Sequence, residues 1–116
     1  MVEITVKDLD DVTAYLRKLR EYRGLMKEKY LPILLRAKDL WELKKMYEDL
    51  FKQLDSKRLE IAWKRDEVKK KLSQNPELIR YAKELKIEED KMAEEIYGLT
   101  LAFGEARRRL LAGRYR

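Results

Sequence analysis

The sequence contains no cysteine and no histidine. A zinc site of the usual Cys/His kind cannot form, and neither thiol nor imidazole catalysis is available. Lack of cysteine also excludes a disulfide scaffold and suits a reducing compartment. Only four glycines and two prolines occur among 116 residues, which excludes collagen and low-complexity disorder. No apolar run approaches the ~20 residues that cross a bilayer. The longest, residues 31–35, is interrupted by Pro32. Residues 1–8 lack the apolar core of a signal peptide. From these absences the expected protein is soluble, intracellular and cytoplasmic, without membrane contact. Gln53, Gln74 and Asn75 are the only side-chain amides. Scarce amides and dense mixed charge point to a thermophilic origin.

Charged residues make up 43% and hydrophobic residues 45% of the chain. Glu, Lys, Arg, Leu and Ala dominate, the composition of long helices and coiled coils. Apolar periodicity divides the chain into three helices. The first, over residues 8–30, carries a seam of Leu9, Val12, Leu16, Leu19, Met26 and Tyr30, widened by Tyr15 and Tyr22. Thr5 or Asp8 is its expected cap. Val2, Ile4 and Val6 precede it as a short arm, residues 1–7. Pro32 reads as the start signal of a second helix over residues 33–73, about 60 Å long. Asp55 and Ser56 are the one place where that helix can break, since both residues favour caps. Asn75 and Pro76 open a third helix over residues 76–112, with a seam from Leu78 to Leu110 and helix-weakening glycines at 98 and 104.

Short connections make consecutive helices antiparallel neighbours. The expected fold is all-α: one domain, residues 1–116, forming an antiparallel three-helix coiled-coil bundle with a long protruding helical hairpin. A compact four-helix bundle is the alternative if the second helix breaks near Ser56. In the first arrangement helix one folds back on residues 33–54, and residues 55–95 form the overhang. That overhang is too apolar to stand alone, because each large side chain left in water forgoes about 2 kcal/mol of burial. Leu59, Trp63, Ile87 and Met92 are therefore the expected interface residues, for a homo-oligomer or a protein partner at the hairpin. Two hairpins joined as a four-helix bundle are the simplest closed solution.

Lysine and arginine number 28 against 22 acidic residues, a net charge of +6. Such an excess favours acidic partners, nucleic acid among them. The basic tail, residues 107–116, holds Arg107, Arg108, Arg109, Arg114 and Arg116, with Tyr115 between the last two. Arginine forks grip phosphate bidentately, and a tyrosine stacks on a base. The expected packing brings Arg36 and Lys38 beside them. A solvated helix end, with cations complementing the macrodipole, is the competing reading. Lys64, Arg65, Lys69, Lys70 and Lys71 form a second, diluted cluster. The acidic residues between 84 and 95 suit pairing with basic helix faces better than a metal ion, and no cofactor or metal is expected.

No hydroxyl sits in a nucleophile motif and no Gly-rich phosphate loop occurs. One enzyme class passes these filters, a small helical enzyme that holds a dianion with arginine and lysine. Residues 54–65 resemble the Leu- and Arg-rich first helix of all-helical chorismate mutases. In that family the long helix comes first, whereas here it does not. No small-molecule substrate is therefore expected. The sequence favours a non-enzymatic structural or assembly protein that binds nucleic acid, DNA or RNA, through arginine–phosphate contacts with little sequence specificity, in the manner of a viral coat or packaging protein. The alternative is a coiled-coil adaptor or scaffold with no nucleic-acid role.

Overall fold

Residues 2–113 are described by the computed structural model of the chain. Three long helices account for most of them: α1 (Val12–Leu34), α2 (Leu40–Lys71) and α3 (Ile79–Gly113). The all-α class is as expected, and no strand occurs among the described residues.

α1 and α2 each begin at an aspartate that caps them. The arm is extended through Thr5 and then makes a short 3-10 turn, Val6–Asp10. Thr5 N–H donates to Asp8 (2.7 Å), so Thr5 and Asp8 organise this turn rather than α1. Asp11 caps α1 by accepting from Ala14 N–H at 3.2 Å. Asp39 caps α2, accepting from Glu42 N–H at 2.8 Å. Pro76 opens a second 3-10 turn, Pro76–Leu78, that runs into α3 at Ile79; the break falls where the sequence predicts, but the Asn75 side chain makes no capping hydrogen bond.

Pro32 corrects the sequence reading. It lies inside α1, not at the start of α2. Placed in the last turn, it forfeits one helical hydrogen bond, and Leu35 N–H still reaches the Leu31 carbonyl at 2.9 Å. Burial of Tyr30 and Leu34 holds the helix across it. The break falls instead at residues 35–39, so α2 is shorter than expected, about 48 Å. It passes through Asp55 and Ser56 without interruption.

The neighbours of α1 are the second correction. It does not fold back on α2; it lies along α3, and meets α2 only weakly. Arg23 pairs with Glu94 (2.6 Å) and Lys27 with Glu105 (2.9 Å), so α1 and α3 run in the same direction. On the other flank, Arg65 pairs with Glu89 (3.0 Å) and Tyr47 bonds Thr100 (3.0 Å), so α2 and α3 are antiparallel. The physical reason is the width of the α3 stripe. Ile87 and Gly98 serve one flank and Ala82 and Leu85 the other, while Leu99 and Ala102, both fully buried, lie between them. The molecule is an elongated layer, 63 × 26 × 16 Å, with α3 in the middle.

The core has three parts. Tyr30, Leu34, Leu43, Leu54, Leu99 and Ala102 fill the end where all three helices converge. Val68, Ala82 and Leu85 close the hairpin tip. Tyr15, Leu19 and Ile87 form the third part, with Ile4, Val6 and Leu9 of the arm laid over them. The arm and α1 thus cover much of the expected overhang.

Candidate nucleic-acid interface at the basic end

The last turns of α3 and the α1–α2 turn meet at one end of the molecule. Arg109 shares a depression with Leu35, Ala37 and Leu43, which puts the end of α3 against the turn that carries Arg36 and Lys38. Arg107 lines the neighbouring cleft, about 280 Å³, with Leu40, Lys44, Tyr47 and Phe103. The cleft floor is aromatic, since Tyr47 stacks on Phe103 with ring centroids 4.4 Å apart. Arg36, Lys38, Arg107, Arg108 and Arg109 are all exposed. Arg114, Tyr115 and Arg116 lie outside the described residues.

Charge pairing separates these cations into two groups. Arg109 is tied to Glu105 at 2.7 Å, one turn back. The same carboxylate binds Lys27 of α1 at 2.9 Å. The Lys27 contact, with Arg109 and Arg108 adding to it, holds the Glu105 carboxyl below the usual carboxylate range. Arg36, Lys38, Arg107 and Arg108 make no ion pair among the described residues.

Along the hairpin the two signs occur in equal number, although Lys64, Lys69 and Lys71 make no ion pair among the described residues. Residues 55–95 hold eleven basic and eleven acidic side chains, whereas residues 96–116 hold five arginines and one glutamate. In the tip cluster Arg65 pairs with Glu89 and Lys70 with Glu67. Most of the acidic stretch of α3 is paired: Glu84 with Arg80, Asp90 with Lys86 and Tyr15, and Glu94 with Arg23. Glu95 is the buried member, 9% exposed. It accepts from the hydroxyls of Tyr30 and Tyr22, with Lys29 at 3.6 Å. Burial first, and then Glu95 through its hydrogen bonds and charge, push both tyrosine hydroxyls above their ordinary range. Tyr15 is raised by burial and by its 2.5 Å hydrogen bond to Asp90.

The expected interface residues divide in two. Leu59 and Trp63 are exposed, at 55% and 65%. Ile87 and Met92 do not lie on a free hairpin face. Ile87 is 6% exposed beneath Tyr15, Leu19 and the arm, and Met92 packs against the main core. An α1 packed on α2 leaves both without a neighbour; an α1 packed on α3 does not. Sequence reasoning missed the Tyr22–Tyr30–Glu95 cluster. Its one signal was a carboxylate flanking the apolar seam residues Met92, Ile96 and Leu99. No helix among the described residues is long and apolar enough to cross a membrane. In comparisons with known proteins, the chain matches no family model, no curated protein and no solved structure.

Proposed function

We propose that this is a non-enzymatic helical assembly protein that binds nucleic acid through its basic end. Arg107 and Arg108 grip phosphates, with Arg36 and Lys38 adding charge from the α1–α2 turn. The observation that carries the reading is the segregation of charge. Residues 55–95 are neutral in sum, while residues 96–116 carry five arginines against one glutamate, beside Arg36 and Lys38 of the α1–α2 turn. No groove-reading motif accompanies them, so contacts run to the backbone and base sequence matters little. Packaging or coating of an intracellular or viral polyanion is the role that fits such contacts.

Anisotropy of labelled duplex DNA, titrated at low and moderate salt, tests this reading. The expected result is micromolar or tighter binding that weakens steeply with salt, because each neutralised phosphate releases a counterion. Arg107→Glu with Arg108→Glu abolishes it. No binding at low salt overturns the proposal.

A second reading, a protein–protein adaptor, is favoured by Trp41 and Trp63, which stand 76% and 65% exposed on α2. An apolar partner interface survives salt that strips off nucleic acid.

A further inference from the structure

α2 meets α3 through one seam, in which Leu43, Leu54 and Val68 are buried. On the opposite side of the same helix a second stripe runs Trp41, Lys45, Glu48, Lys52, Asp55 and Leu59. Its spacings alternate between four and three, the period of a coiled-coil seam. Neither α3 nor α1 covers it, since α1 lies on the far flank of α3. The stripe is capped at both ends by large exposed apolar groups, Trp41 and Leu59, with Trp63 one turn further on.

The charges between those ends alternate in sign: Lys45, Glu48, Lys52, Asp55. The pattern is antisymmetric about the level of Leu50. Reversing the helix about that level exchanges Lys45 with Asp55, Glu48 with Lys52, and Trp41 with Leu59. We propose that a second copy of this chain docks here, α2 against α2 and antiparallel, about a two-fold axis at the level of Leu50. An isologous contact of this kind needs a surface complementary to itself under two-fold rotation, and this stripe is one.

Three arguments support that occupant and that orientation. First, every charged layer pairs opposite signs: Lys45 faces Asp55 of the second copy, and Lys52 faces its Glu48. A parallel arrangement sets each charge against its own like, which is repulsive, so the pattern selects direction as well as partner. Second, within one chain Glu48 and Asp55 have only neighbours on their own helix, Lys44 at 3.9 Å and Arg58 at 2.9 Å, while Lys45 and Lys52 make no ion pair among the described residues. Docking supplies both lysines with carboxylates. Third, Trp41 covers Leu59 of the second copy at each end, which removes two large apolar groups per chain from water and shields the charged layers between them. Trp63 then extends past the start of the second copy's α2, toward its α1–α2 turn. The two basic ends sit at opposite ends of the shared interface.

The inference rests on the assembly half of the reading above and is independent of nucleic acid. Light scattering on the full chain tests it. Twice the chain mass of 14.1 kDa is expected. Lys45→Asp alone and Asp55→Lys alone each halve the mass. The double variant, with the charges exchanged, restores it. Trp41→Glu also gives single chains, with circular dichroism confirming unchanged helix content in every variant. A wild-type chain that runs at its single mass overturns the proposal. So does a larger mass that neither charge reversal changes, or one that the exchange fails to restore. No nucleic acid is present in this measurement. A single chain that binds duplex DNA refutes the docking alone, and a dimer that binds none refutes the polyanion reading alone.

Discussion

Gly98 of α3 lies directly against Met26 of α1: a Cβ added to the glycine stands 2.8 Å from the Met26 Cβ and 2.7 Å from the Arg23 carbonyl oxygen. Two helical backbones meet at this point, and no side chain fits between them. Intrinsic propensity favours alanine over glycine inside a helix by about 1 kcal/mol. Packing reverses the sign here, because the clashing atoms are backbone and Cβ and cannot swing away. Gly98→Ala is expected to destabilise the fold by about 1–3 kcal/mol through overpacking. Gly24 is the control. It also lies within a helix, but an added Cβ meets nothing within 4 Å. Gly24→Ala is expected to stabilise by about 0.5–1 kcal/mol. Urea midpoints of the two variants, moving in opposite directions, check the pair.

The Tyr30 hydroxyl is the buried donor to Glu95. Tyr30→Phe keeps the ring and leaves a nearly buried carboxylate with the longer Tyr22 bond (3.4 Å) and the exposed Lys29. A loss of about 1–3 kcal/mol is expected, the cost of stranding a buried acceptor. Glu95→Gln in the Tyr30→Phe background recovers part of it, because a neutral amide is cheaper to bury than a carboxylate. Equilibrium unfolding of the two variants reads this directly.

The same hydroxyls set a limit at alkaline pH. Tyr15, Tyr22 and Tyr30 are each raised above the ordinary tyrosine value of 10.0, by burial first and then by Asp90 or Glu95. Above pH 10 the unfolded chain releases tyrosine protons that the folded chain retains. The unfolded state then binds fewer protons, so stability falls as pH rises. The contribution is whole below pH 10 and disappears as pH climbs through the raised folded values. Unfolding midpoints measured from pH 9 to 11 are expected to fall, and Tyr15→Phe to flatten the decline.

Much of the helical pattern was legible in the sequence, because apolar period and caps are local properties. Asn75 and Pro76 mark the α2–α3 turn correctly, and Ser56 does not interrupt α2. Pro32 misled because a proline fits the first turn of one helix and the last turn of another, and only burial of Tyr30 and Leu34 decides between them. The partner of α1 was not legible either. A stripe states which face is buried, not which neighbour buries it. Two residues carry that information: Gly98 marks a close backbone crossing, and Ile87, off the main seam of α3, marks a second flank that the sequence alone assigns to a partner and the fold assigns to α1 and the arm. At the basic end, the sequence puts the arginines together but does not show that Glu105 engages Arg109 while Arg107 and Arg108 make no ion pair among the described residues.

Ile87 and Trp63 have similar apolar character and opposite surroundings, and their variants separate the fold from its surface. Ile87 is buried by Tyr15 and Leu19, with Ile4, Val6 and Leu9 of the arm packed against them. Ile87→Ala opens a cavity under both the arm and α1, and a loss of about 2–5 kcal/mol is expected. Removing residues 1–7 exposes the same side chain and weakens the same site, so the two changes are expected to be less than additive. Trp63→Glu, on the open face of α2, is expected to leave the stability of the single chain within about 0.5 kcal/mol. Thermal unfolding of the three single variants and of the Ile87→Ala truncation decides it. Equal losses from Ile87→Ala and Trp63→Glu would return Trp63 to the fold and remove it from the surface.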